Sequence, residues 1–264
     1  MNEQRDNPAV LYERQGALAW ITLNRPEALN AVNSEIRELF PRAVERAEAD
    51  PQVRVIVVRG TGERAFCTGA DIKEFQAPES IVQARQLRAH MDWLRPLGSA
   101  LKPSVAAIHG FCLGAGLELA LACDIRVAAD DAQLGLPEVG LGIIPGSGGT
   151  QRLPRIVGLG QALHLILSGG RIDADESYRI GLVSQVIRRD QLPSEVERLA
   201  GVIAGRAPLA VALAKEAVHK GYDLELSDGL RLEGDLAALL LTSEDRLEAA
   251  AAFREKRRAV FKGR

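Results

Sequence analysis

The chain has 264 residues, 47% hydrophobic and 26% charged, the composition of a soluble globular protein with one large domain or one domain and an appendage. Its 33 Lys and Arg against 35 Asp and Glu leave a formal net charge of −2. That balance argues against nucleic acid as the main partner, because duplex binding draws on a strong basic surplus, and leaves room only for a local basic patch that holds a small phosphorylated ligand.

The opening residues, Met1 to Asp6, lack the apolar core of a signal peptide. The longest apolar-rich run, residues 111–123, is too short to span a bilayer and contains Glu118. Cys67, Cys112 and Cys123 form no C-x-x-C pair and sit in apolar stretches, so they read as reduced core residues. A cytoplasmic protein without a membrane segment is expected.

In chain order, residues 17–23 read as a strand, turned by Asn24-Arg25-Pro26. From Asn33 to Ala49 the apolar positions Ile36, Leu39, Phe40, Ala43, Val44 and Ala47 follow helical spacing, with Asn33 as the cap. Pro41 lies inside that pattern; a mid-helix proline costs roughly 3 kcal/mol, so a kinked or broken helix is expected there. Residues 53–59 form a β-branched run ended by Gly60, the pattern of a buried strand. Residues 105–109 repeat that pattern up to Gly110, residues 113–122 read as helix, and residues 125–128 as strand again. Strands alternating with helices predict an α/β arrangement, here with glycine-rich joints.

Near residue 193 the character changes to almost continuous helix: residues 193–205, 208–220, 224–241 and 243–261. Ser243-Glu244-Asp245 supplies a cap and first-turn acids that suit the helix dipole. The division expected is therefore a core over residues 1–192 and a helical region over residues 193–264. Leu236, Leu239, Leu240 and Leu241 need a surface to cover, either the core or another subunit.

Three segments carry polar groups among small residues. Ala65-Phe66-Cys67-Thr68-Gly69-Ala70-Asp71-Ile72-Lys73 follows the buried strand, and its small residues let a ligand approach the backbone; an ordinary strand-to-helix turn would look the same. In His109-Gly110-Phe111-Cys112-Leu113-Gly114-Ala115-Gly116-Leu117-Glu118-Leu119, small residues open a helix whose N–H groups near Ala115 can point at a developing anion. Glu118 lies about one turn in, either on a solvated face or deliberately buried. The third, Leu134-Gly135-Leu136-Pro137-Glu138-Val139-Gly140, leads into Ile143-Ile144-Pro145-Gly146-Ser147-Gly148-Gly149-Thr150-Gln151-Arg152. This glycine run has neither the Lys-Ser/Thr ending of a phosphate loop nor the order of a dinucleotide site. Glu138 stands in an apolar segment, the setting that raises a carboxyl pKa and makes it a usable acid. His90, His109, His164 and His219 show no metal-ligand spacing, and no metal is expected.

Together these segments, with Leu23-Asn24-Arg25-Pro26, Leu29-Asn30-Ala31 and Phe253-Arg254-Glu255-Lys256-Arg257, resemble the crotonase, or enoyl-CoA hydratase/isomerase, family over nearly the whole chain. The resemblance implies a spiral of β-β-α units followed by a helical region that supports homotrimers, often paired into hexamers. It implies that the backbone N–H groups of Ala70 and Ala115 form an oxyanion hole for a thioester carbonyl. Ala115 stands where glycine is common, which keeps the N–H and narrows the pocket. Ala70, Asp71, Ile72 and Lys73 would line the bound thioester, with Gly146 beside it. At the basic end of the chain, residues 254–264, Phe253 and Lys256 would meet the coenzyme A moiety; a solvated helix end whose cations suit the dipole would look the same. Coenzyme A would be part of the substrate, and no separate cofactor is implied.

Many relatives keep one glutamate at the two acid positions; Glu118 and Glu138 are both present here, which selects hydration within the family, and the resemblance implies that Glu118 activates water and Glu138 supplies the C2 proton. The alternatives are an enoyl-CoA isomerase working mainly through Glu138 and, in another class, an RNA-binding relative, which the net charge disfavours. Residues 74–97, with Phe75, Met91 and Trp93, are expected to shape the acyl pocket. The sequence leaves the acyl group open among straight, branched and cyclic forms.

Overall fold

A computed structural model describes residues 8–74, 80–83, 85 and 92–264. The chain folds as two sheets laid down by a repeating strand pair. β1 (Val10–Gln15) and β2 (Leu18–Leu23) form an antiparallel hairpin, and α1 (Ser34–Ala49) follows. Then β3 (Val55–Gly60) and β4 (Ala65–Cys67), β5 (Ser104–Ile108) and β6 (Phe111–Leu113), and β7 (Ile125–Ala129) and β8 (Gln133–Gly135) succeed one another. In each pair the first strand enters a six-stranded sheet and the second a four-stranded one. Successive turns add parallel neighbours to both: β3 beside β5 beside β7, and β4 beside β6 beside β8. β9 (Arg171–Asp173) and β10 (Gln185–Ile187) close the two edges. The result is an α/β spiral.

The strands of the large sheet are apolar throughout because both faces are covered. Ala19, Ile21, Ile56, Val58, Ala106 and Ile108 face the main core with α1 and α3 (Ala115–Ala122). Leu18, Trp20, Val55, Val57, Val105 and Val127 face the other way, onto Leu192, Val196 and Ala200 of a later helix, Leu192–Ala204. All three cysteines are free and buried, as their apolar settings predict.

Asn33 caps α1 through its side chain, which accepts from Ile36 N. Pro41 does not break the helix, contrary to one of the two outcomes its position suggested. Ile36, Phe40, Ala43, Val44 and Ala47 are buried along one face, and that burial outweighs the one lost main-chain bond. The short helix α2 (Arg95–Gly98) precedes β5, and between β8 and β10 the chain forms α4 (Gly149–Val157), α5 (Leu159–Ser168) and α6 (Ala174–Arg179).

After α7 (Leu192–Ala204) come α8 (Pro208–Gly221), α9 (Leu226–Leu240) and α10 (Glu244–Glu255). Ser243 caps α10 as expected, accepting from Arg246 N. The helix expected to reach residue 261 ends at Glu255, because Lys256 adopts a left-handed conformation with φ 51°. Arg257 N then bonds back to Ala252 O, the closure typical of a helix C-terminus. The tail folds over α10, with the Lys262 and Gly263 N–H groups donating to the Asp245 carboxylate. α8 buries no residue and α9 only Leu236, so Val218, Tyr222, Leu226, Leu230, Leu239 and Leu241 stay exposed. Among the described residues no helix is long and apolar enough to cross a membrane.

Candidate active site

β4 and β6 run side by side with Cys67 opposite Cys112, so the turns that leave them also lie side by side. The first carries Gly69 and Ala70, the second Gly114 and Ala115. A methyl group placed on Gly69 would lie 3.3 Å from Leu113 O and 3.7 Å from Ala115 N, which shows how closely the two backbones approach. Gly69, at φ 108°, and Gly114, at φ 53°, both take conformations that favour glycine.

Val32 fixes the direction of the Ala70 peptide. It bridges Ala70 in parallel: Val32 N donates to Gly69 O at 2.8 Å and Asp71 N donates to Val32 O at 2.9 Å. In a parallel bridge the central residue's own N–H and C=O point away from the partner, so the Ala70 N–H is turned off that strand. Ala115 is the first residue of α3, whose leading N–H groups have no helical acceptor, and Gly114 offers no side-chain cap. Neither N–H donates to another group among the described residues.

Two buried carboxyls flank this pair of donors. Glu118, one turn into α3, is 2% exposed, which settles its reading in favour of burial. Its Oε1 accepts the Ser147 N–H at 2.7 Å and the Gly149 N–H at 2.8 Å. Burial pushes its pKa up, and those two N–H groups with the nearby Arg152 cation pull against that rise. Glu138 opens the short 3-10 turn Glu138–Leu141 and is 8% exposed. Its Oε1 lies 3.1 Å from where a Gly114 Cβ would stand, and its Oε2 is buried without a described partner. Burial raises this carboxyl to about 7, with the charge of Glu118 adding to the rise. The apolar setting of Glu138 in the sequence predicted that direction.

The match to known proteins is extensive. The family model for enoyl-CoA hydratase/isomerase matches residues 13–264. The chain belongs to that family. It is 42% identical over 253 residues to a crotonyl-CoA hydratase of Syntrophomonas wolfei, covering 96% of this chain and 97% of that protein. It is 39% identical over 254 residues to the (E)-benzylidenesuccinyl-CoA hydratase of Thauera aromatica, covering 96% and 99%. Among solved structures, an enoyl-CoA hydratase from Bacillus anthracis superposes with a TM-score of 0.92 at 38% identity, covering 97% of this chain and all of that one.

Within this crotonase-family fold the other expected site residues are distributed unevenly. Asp71 is engaged rather than open: its Oδ2 accepts from both Nη atoms of Arg25 at 3.0 Å. Partial burial pushes its pKa up, but the Lys73 N–H and Arg25 hold it below the usual carboxylate range. Arg25 also donates to Ala31 O at 2.6 Å, so it ties the loop before Val32 to the loop after Ala70. Ile72 and Lys73 are exposed, and Gly146 is exposed beside Ser147. Phe253, 86% exposed, and Lys256 stand at the end of α10, and no described hydrogen bond or ion pair links them to the two glutamates. Of the expected acyl-pocket residues, Phe75 and Met91 lie outside the described residues. Trp93 is buried edge-on against Phe40, with ring centroids 5.4 Å apart, as a packing residue.

Three contributors escaped the sequence reading: the Ser147 and Gly149 amides, Arg25 as a staple, and Arg152 behind the Glu118 loop. Arg152 ends a run of small residues; a cation kept there is the signal that a nearby buried anion needs one. Among the described residues no group of three or more His, Cys, Asp or Glu could hold a metal ion.

Proposed function

We propose that this protein is an enoyl-CoA hydratase, adding water across the 2,3 double bond of a 2-enoyl-CoA thioester to give a 3-hydroxyacyl-CoA. The observation that carries the reading is the pair of buried carboxyls, Glu118 and Glu138, set beside the free Ala70 and Ala115 N–H groups. Backbone donors aimed at the thioester oxygen stabilise the enolate-like charge that builds up as C3 is attacked, and one such donor is worth roughly 3–4 kcal/mol.

Glu118, whose ionised form is favoured by two N–H groups, accepts a proton from water as the water oxygen bonds to C3. Glu138, whose carboxyl stays protonated up to about 7, delivers its proton to C2. After the addition Glu118 carries the water's proton and Glu138 is ionised, so one proton passes between them or through solvent to restore the start.

The same reading makes Ile72, Lys73 and Gly146 a lining for the thioester, and the neighbouring subunit's copies of Phe253 and Lys256 contacts for coenzyme A. It divides the chain into a core over residues 1–192 and a helical region over residues 193–264 that closes trimers or hexamers in the cytoplasm. Coenzyme A enters as substrate; no separate cofactor or metal has a task. Relatives of similar identity are named for different acyl groups, so identity does not select the acyl group. A panel of straight, branched and cyclic enoyl-CoA thioesters, followed by loss of absorbance at the conjugated bond, tests the proposal. Hydration of at least one is expected; double-bond migration without water addition would favour an isomerase instead.

A further inference from the structure

The loop that grips Glu118 is itself gripped from behind. Arg152, in α4, donates from Nη1 to Ser147 O at 2.9 Å. Its guanidinium fills a slot from which side chains are excluded. A Cβ on Gly148 would collide with Nη1, and one on Gly98 would come within 3.1 Å of Nη2. Gly148 holds φ 108°, and this left-handed turn sits between the two residues, Ser147 and Gly149, whose N–H groups converge on Glu118 Oε1. The contacts therefore form a chain: guanidinium to Ser147 carbonyl, Ser147 and Gly149 amides to Glu118.

The electrostatics run the same way. Burial lowers the pKa of Arg152 and raises that of Glu118, and each group's charge opposes the other's shift. The charged and titratable groups bearing on this pair are Glu138, which interacts electrostatically with Glu118, and Asp92 and the Cys123 thiol, which act on Arg152.

We propose that Arg152 is a positioning residue for Glu118, holding the Ser147 and Gly149 amides on its Oε1 and supplying the countercharge to a buried carboxylate. The inference deepens the hydratase reading and rests on it, since water activation is what gives Glu118 its task. A guanidinium suits the role because it is permanently charged and presents a planar fork to the backbone carbonyl and the glycine slot.

The test compares Arg152→Gln, which removes the charge, with Arg152→Lys, which keeps the charge and loses the fork. Both should lower kcat, by about 10²-fold for Gln and about tenfold for Lys, with KM for the CoA ester nearly unchanged. The acid limb of kcat should move to higher pH in Arg152→Gln and stay in place in Arg152→Lys. A readout free of turnover separates this claim from the hydratase reading: the Glu118 carboxylate band in the infrared difference between ligand-free protein and the same protein with Glu118→Gln. In the Arg152→Gln background that band should titrate at higher pH, whatever reaction the enzyme catalyses. An unmoved band, or loss of CoA-ester binding and kcat together, would overturn the proposal. If Arg152→Gln does not fold, Arg152→Lys decides alone: wild-type kcat in it contradicts the role of the fork.

Discussion

Gly149 donates its backbone N–H to Glu118 Oε1 at 2.8 Å and presents its bare Cα to the same side chain. A methyl group there would stand 2.7 Å from Pro145 Cβ and 3.1 Å from Glu118 Oε1. Gly149→Ala should therefore move the carboxylate without removing it. The expected result is a kcat roughly 10²-fold lower with near-normal KM, read by steady-state kinetics on a good enoyl-CoA substrate. Unchanged kcat would mean that the position of Glu118 is not set by this loop.

Glu138 predicts how activity and stability depend on pH. Its carboxyl stays protonated up to about 7, so kcat/KM should fall as pH rises past that value and the proton for C2 is lost. For stability, the folded state binds more protons here than the unfolded state between 4.5 and about 7. The contribution of Glu138 thus declines as pH rises through that window and is level above it. Urea midpoints at pH 5.5 and pH 7.5, compared between wild type and Glu138→Gln, should fall more steeply with pH in the wild type, the difference being the contribution of Glu138. Parallel curves would contradict the burial of an acid.

Arg25 and Asp71 should couple. Each Nη of Arg25 lies 3.0 Å from Asp71 Oδ2, and both side chains are largely buried, at 20% and 12% exposure. A double-mutant cycle with Arg25→Ala and Asp71→Asn should give a coupling of about 1 kcal/mol in unfolding and a shared loss of kcat, since the pair steadies the Ala70 peptide. Additive effects would remove the pair from the account.

How far the sequence discloses this arrangement depends on the kind of feature. The apolar runs of β3 and β5 announce buried strands, and the caps Asn33 and Ser243 announce helix starts, because both signals are local. Glu138 in its apolar segment announces a raised pKa for the same reason. Whether Glu118 was buried or solvated could not be read locally: its burial depends on Ser147 and Gly149, about thirty residues later, folding back over α3. Pro41 does not signal a break in this helix because the burial of Phe40 and Val44 comes from tertiary packing. The tail after Lys256 misled because the chain beyond its left-handed turn is held by Asp245 and Glu248, which accept from the Val260, Lys262 and Gly263 N–H groups and which helical spacing does not report.

The exposed apolar side chains of α8, α9 and α10, among them Val218, Leu226, Leu239, Leu247 and Phe253, call for a covering surface. Light scattering at micromolar concentration should give the mass of a trimer or hexamer. A monomer mass would leave those side chains in water and contradict the assignment of residues 193–264 to assembly.

The most direct test replaces each glutamate by its near-isosteric amide. Glu118→Gln and Glu138→Gln should fold and bind a CoA ester normally, yet hydrate crotonyl-CoA at least about 10²-fold more slowly. The double variant should be little worse than the poorer single one, because the two carboxyls act as a unit in one addition. Near wild-type hydration by both single variants would contradict the assignment of this site.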